Sequence, residues 1–180
     1  DTRCQTIILA NIPLALNICV LDNESIYVDS SGHSYINITK KLNNAMIKNA
    51  TSLIQKLKRM RYLPTRKLRA AYLFGLEIYF AKEVKGGGEW DLKTQWSILI
   101  GQKTNVYKYK YKNKLLRADD PGNIHFGFVG SVLFSQMALC IGAGAYQVKS
   151  FHSHWNYYKS YFDDPRDTEM IKYGCKLYEK

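Results

Sequence analysis

Three clusters in this chain have residue types and spacing suited to acid–base or phosphoryl chemistry. His125 lies in PGNIHFGFVG, Pro121 to Gly130. A histidine titrates near physiological pH and can serve as general acid or base in phosphodiester cleavage. In an RNA-cleaving site it would deprotonate the 2′-OH or protonate the leaving oxygen. Lys93 would then stabilise the charged transition state. Lys93 belongs to the second cluster, GGEWDLK, together with Asp91. The third cluster, YFDDPRD, holds Asp163, Asp164 and Asp167. Carboxylate oxygens suit Mg²⁺ or Mn²⁺, the ions a DNA-cleaving site would use.

Each cluster also has a structural alternative. His125 can hydrogen-bond and order a glycine-rich turn. Asp164 stands just before Pro165, with Asp167 three residues on, the pattern of a capped helix start. Asp91 can cap a helix that Lys93 begins. His152 and His154 would ligate a metal only with a third ligand elsewhere. The aromatic run around them, Trp155, Tyr157, Tyr158, Tyr161 and Phe162, can stack on bases or pack a loop onto the core.

The chain has 180 residues, enough for one domain with a core, and 46% hydrophobic and 23% charged residues fit a globular protein. No run reaches the roughly 18 apolar residues of a membrane span. The net charge is +11 and unevenly placed. No acid occurs between Asp29 and Glu77, where Lys56, Lys58, Arg59, Arg61, Arg66 and Lys67 are among the cations. A second acid-free stretch separates Asp91 from Asp119. Such asymmetry suits a polyanionic partner: nucleic acid, an anionic membrane or an acidic inhibitor. The spacing of Cys4, Cys19, Cys140 and Cys175 fits no zinc or redox motif. Cys140 and Cys175 fall in apolar helical patterns and read as buried thiols. A Cys4–Cys19 disulfide would require export.

The elements that must position these clusters follow from periodicity. Ile38 to Met60 carries helical spacing, with Asn37 or Thr39 able to cap its start. Pro64 opens a second helix, which Gly86, Gly87 and Gly88 stop. A short apolar, helical piece follows. KTNVYKYKYKNKLL alternates tyrosine with lysine, the pattern of a half-buried strand in a hairpin turning near Asn113. PGNIHFGFVG itself reads as a tight turn and a short extended piece. Ser131 to Val148 is apolar almost all round and reads as a central helix. A last helix from Pro165 would bury Met170, Ile171, Gly174, Cys175 and Tyr178.

Three motifs in order, GGEWDLK, then GNIHFGFVG with GAGAYQ, then YFDDPRDTEMIKYGCKLY, resemble the domain called polymorphic toxin type 44. YINITKKLNNAMIKNA upstream fits as well. The resemblance covers about residues 29–180 and leaves residues 1–28 as an N-terminal extension or linker. It implies a toxin domain at the C-terminus of a secreted bacterial effector, delivered into competitor cells. It also implies a cognate immunity protein, acidic if it answers the charge of this chain. The family pattern falls on Trp90, Asp91 and Lys93; on Gly122, Asn123, His125, Gly127 and Gly130; and on Asp163, Asp164 and Asp167.

The expectation is therefore a mainly α (α+β) domain, helical with a small β-hairpin, acting as a nuclease on RNA or DNA. His125, Asp91, Lys93, Asp163 and Asp164 are the catalytic candidates. Asn123, Gly122, Trp90, Asp167, Lys56 and Arg59 are the substrate-binding candidates. No residue is assigned as a metal ligand. The basic helix and the Tyr-Lys strand would line or approach the substrate path. Two alternatives stand beside this: a peptidoglycan hydrolase toxin using Asp91 or Asp163 as its acid, and a non-enzymatic toxin that binds polyanions.

Overall fold

A computed structural model describes residues 3–8, 15–20, 26–28, 32, 34–92, 109–149 and 164–179. Lys93, Asp163 and the aromatic run 151–162 lie outside them, as do the apolar piece after Trp90-Asp91 and the strand residues Tyr107 and Lys108. The described part is mainly α, with a small mixed sheet and a separate two-stranded ribbon. None of its helices is long and apolar enough to cross a membrane.

The ribbon pairs β1 (Arg3–Ile8) with β2 (Ala15–Val20), antiparallel, in a register that sets Cys4 opposite Cys19. The sheet runs in the order β3 (Ile26–Val28), β4 (Ser34–Asn37), β5 (Tyr109–Tyr111), β6 (Lys114–Leu116). β4 and β5 are parallel, and the other neighbours are antiparallel. The expected hairpin is β5–β6, with Lys112 in the left-handed region at φ 51°. Its alternation works as anticipated: Tyr109 and Tyr111 are buried, while Lys110 between them is half-buried. Burial also raises the Tyr111 phenol pKa. It stays protonated and donates to Asn43 Oδ1 at 2.7 Å.

α1 (Thr39–Arg59) buries Leu42, Met46, Ala50 and Leu53, the stripe its periodicity marked. The residue at its cap position is Ile38, which supplies no side-chain cap, and neither Asn37 nor Thr39 takes that position; Asn37 Oδ1, one residue earlier, accepts from the Thr39 N–H at 3.0 Å. A 3₁₀ turn, Met60–Tyr62, ends it, and Leu63 is extended because Pro64 follows. The second helix, α2 (Arg66–Val84), begins after Pro64, at a cap supplied by Thr65 Oγ1 to the Leu68 N–H. The two helices form a hairpin tied by Tyr72 Oη to the Lys56 carbonyl and by Lys56 Nζ over the Tyr79 ring. Only Leu76, Phe80 and Glu83 of α2 are buried. Gly87 then takes φ +77°, and the chain folds back so that the Trp90 N–H reaches the Glu83 carbonyl.

PGNIHFGFVG is a helix, not a turn and an extended piece: α3 spans Asp120–Gly130. It is also the buried helix at the centre, with Ile124, His125, Phe128 and Val129 at 1% exposure or less. The reason is close approach. A Cβ on Gly127 would overlap the Ile171 carbonyl, and one on Gly174 would overlap the Ile124 carbonyl. α3 and α5 (Pro165–Tyr178) thus cross backbone to backbone at a reciprocal pair of glycines. Contact of this kind offsets the roughly 1 kcal/mol that each helical glycine costs.

α4 (Gln136–Lys149) begins later than expected and is not central. Leu139 and Cys140 are buried, but Met137 and Ile141 are exposed. Hydrogen bonds from the Leu133 and Phe134 N–H groups to the Gly130 carbonyl turn the chain between α3 and α4. The last helix starts as read, with Asp164 Oδ1 accepting from the Arg166 N–H at 2.8 Å and Pro165 at its first position. It buries Met170, Ile171, Gly174 and Cys175, while Tyr178 is partly buried. Cys140 and Cys175 are buried free thiols, as anticipated.

Candidate functional site

A cavity of about 710 Å³ lies among α2, α3, α4 and α5. α2 contributes Glu77, Phe80, Ala81 and Val84, followed by Lys85 and Gly86. The glycine fold-back brings in Trp90, Asp91 and Leu92. α3 gives Gly122, Asn123, His125 and Phe126; α4 gives Ala138, Leu139, Gly142 and Ala143; α5 gives Asp167 and Ile171. Phe134, from the α3–α4 turn, completes the wall. All three sequence motifs therefore meet at one hollow.

Each candidate residue has a definite setting. Trp90 is buried and meets Tyr79 edge-on at 5.6 Å between ring centroids. Asp91 Oδ2 accepts from the Gly87 N–H at 2.9 Å, which holds the fold-back closed from inside the cavity wall. Gly122 and Asn123 occupy the first turn of α3, their N–H groups directed to the Asp119 carbonyl. The Asn123 carboxamide nitrogen is buried and has no hydrogen-bond partner among the described residues. Asp167 adds a carboxylate from the first turn of α5.

His125 is fully enclosed, and burial lowers its pKa to about 4. It is therefore neutral at pH 7. The Asn49 Nδ2 lies 2.9 Å from its Nε2. An amide nitrogen only donates, so Nε2 accepts and the ring proton sits on Nδ1. With its one acceptor nitrogen taken by Asn49, the ring serves as a positioning group, neither a base nor an imidazolium acid.

Asp164 faces its own helix as a cap and is not among the cavity-lining residues. Lys56 and Arg59 do not line it either, nor does any described residue of α1 or the Tyr-Lys strand. Among the described residues the cavity is consequently not a basic cleft. Lys85 is the one cation among its described lining residues, against Glu77, Asp91 and Asp167. The described residues contain no group of three His, Cys, Asp or Glu placed to hold a metal ion.

Several residues that build the site have no mark in the sequence patterns. Asp120 is completely buried and receives Arg166 in a two-pronged ion pair, with Nε–Oδ1 at 3.0 Å. Its Oδ2 also accepts from the Arg117 N–H. This clasp ties the N-terminus of α3 to that of α5, which sets Asn123 and Asp167 around one space. It raises the Arg166 pKa, chiefly through the hydrogen bond to Asp120. Asn49 carried one available signal: it is a polar residue on the buried stripe of α1.

These helices and this hollow define a mainly α domain with an enclosed polar–aromatic site. The family Bacterial toxin 44 matches residues 79–180, more than half of the chain, and the chain belongs to that family. The match takes in the cavity-lining residues from Phe80 to Ile171 and begins after α1. No curated protein and no solved structure matches the chain.

Proposed function

We propose that this toxin domain is a nuclease, cleaving phosphodiester bonds of RNA or DNA in the cells that receive it. The observation that supports the reading is convergence. Asp91, Asn123, His125 and Asp167, far apart in sequence, line one cavity beside the cationic α1–α2 hairpin. Asp91 and Asp167 are the groups placed to take or give a proton, while neutral His125, held by Asn49, shapes the wall beside them. Arg66, Lys67 and Arg69 sit at the far end of α2 from Ala81 and Val84, roughly 20 Å along the helix axis. A nucleic-acid strand would lay its phosphates along that end and present a reacting linkage at the cavity mouth. An acidic immunity protein would compete for the same cations.

The test is direct. Labelled RNA and DNA are incubated with the protein under a range of divalent ions. Cleavage is expected, and Asp91→Asn or Asp167→Asn should lower it by at least about a hundredfold, the usual scale of one acid–base group. Intact substrates under every condition would overturn the reading.

A second reading rests on the lining itself. Three carboxylates among aromatic walls also suit a glycan, and an acid and a second carboxylate are the usual tools of glycoside hydrolysis. Release of muropeptides from purified peptidoglycan would favour a cell-wall hydrolase over a nuclease.

A further inference from the structure

We propose that the cavity is a nucleobase pocket, taking one unstacked base of a single strand while the phosphates remain outside. The inference rests on the nuclease reading and names what the site holds. Charge is one ground: Glu77, Asp91 and Asp167 against Lys85 make the described part of the lining net negative, which disfavours a phosphate there. The walls argue second. Phe80 with Trp90, Phe126 and Phe134 packed against it, ring centroids 5.5–6.5 Å apart, gives a continuous aromatic wall, and a volume of about 710 Å³ falls in the range of small-ligand pockets. Aromatic surface holds any base by its π-face.

The Asn123 amide nitrogen is buried without a partner among the described residues. A buried amide donor without an acceptor is costly, and the cavity is where an acceptor can reach it. A base edge carries acceptors and donors side by side. A carboxamide pairs with such an edge, and a carboxylate accepts from a ring or exocyclic N–H. Asn123 and Asp167 present that combination from the adjoining first turns of α3 and α5. The cations for the phosphates lie elsewhere, on the α1–α2 hairpin.

The four ribonucleosides, inorganic phosphate and an N-acetylglucosamine oligomer would each be titrated into the intact chain by calorimetry. At least one nucleoside should bind saturably, and phosphate should not displace it. Asn123→Leu should weaken that binding tenfold or more, and so should Asn123→Asp, which keeps the shape but removes the donor. If no nucleoside binds, or if both variants bind as the parent does, the proposal fails. Cleavage of nucleic acid by a protein that binds no nucleoside would sink the pocket assignment and leave the nuclease reading standing. Binding of the sugar oligomer with intact nucleic acids would overturn both.

Discussion

The α3–α5 pair and the α1–α2 hairpin are built on opposite terms. α3 and α5 meet backbone to backbone at Gly127 and Gly174 and are joined by the ion pair of buried Asp120 with Arg166. α2 buries three residues and leaves Leu68, Phe74 and Ile78 open, with cations and no acid in its first turn. Positive charge there opposes the helix dipole, a local cost that a packed stabilising element would avoid. The contrast separates a rigid frame that fixes the cavity from a surface shaped for something outside the molecule.

The frame can be broken most completely at its glycines. Gly127→Ala puts a methyl group against the Ile171 carbonyl, and neither backbone can yield without moving a helix. We expect a loss of about 3 kcal/mol or more, at the upper end for overpacking, read by urea unfolding. Gly142→Ala, which meets nothing within 4 Å, should by contrast fold normally. Next comes the clasp. Arg166→Met leaves Asp120 buried without its cation, at about 2–3 kcal/mol, discounted because the guanidinium is partly exposed. A loss below about 1 kcal/mol would mean that the Arg117 N–H alone suffices.

The third effect is pH dependence. The folded-state pKa of His125 lies near 4, below its ordinary value of 6.5. The unfolded chain therefore binds more protons between those values, and stability falls as pH drops through that window. From pH 7 to pH 5 this group should remove roughly 2 kcal/mol, and His125→Asn should flatten that part of the profile. The smallest effect on the fold, and the sharpest test of the contrast, is charge reversal of Arg66 and Lys67, exposed cations in the first turn of α2 that oppose its dipole. It should change stability by less than about 0.5 kcal/mol per site. Nucleic-acid binding should fall about tenfold or more, with a shallower salt dependence. Equal losses of stability in both regions would erase the distinction.

Long periodic elements were legible in the sequence. α1, α2, α5 and the Tyr-Lys hairpin announced themselves through repeated spacing and through Pro64, Asp164 and Pro165. α3 did not, because Ile124, Phe126 and Phe128 satisfy a period of two while Ile124, Phe128, His125 and Val129 satisfy a helix equally well. Only the partner's Gly174, some forty-five residues away, decides between them. Of the site, the motif residues Trp90, Asp91, Gly122, Asn123, His125 and Asp167 do share one cavity. Asp120, Arg166 and Asn49 escaped notice because their meaning lies in a partner on another helix. Local pattern shows which faces are apolar, not which buried polar groups will find each other.

The parallel pairing of β4 with β5 has a kinetic consequence. Ile36 and Tyr109 are neighbours in space but roughly seventy positions apart in the chain. Closing a loop of that length costs about 4 kcal/mol of chain entropy before the β4–β5 pairing repays it. The α1–α2 hairpin is local and can form early, whereas Tyr109 and Tyr111 reach the core only after that closure. We therefore expect slow, sheet-limited folding, with the cationic hairpin in place before the cavity exists.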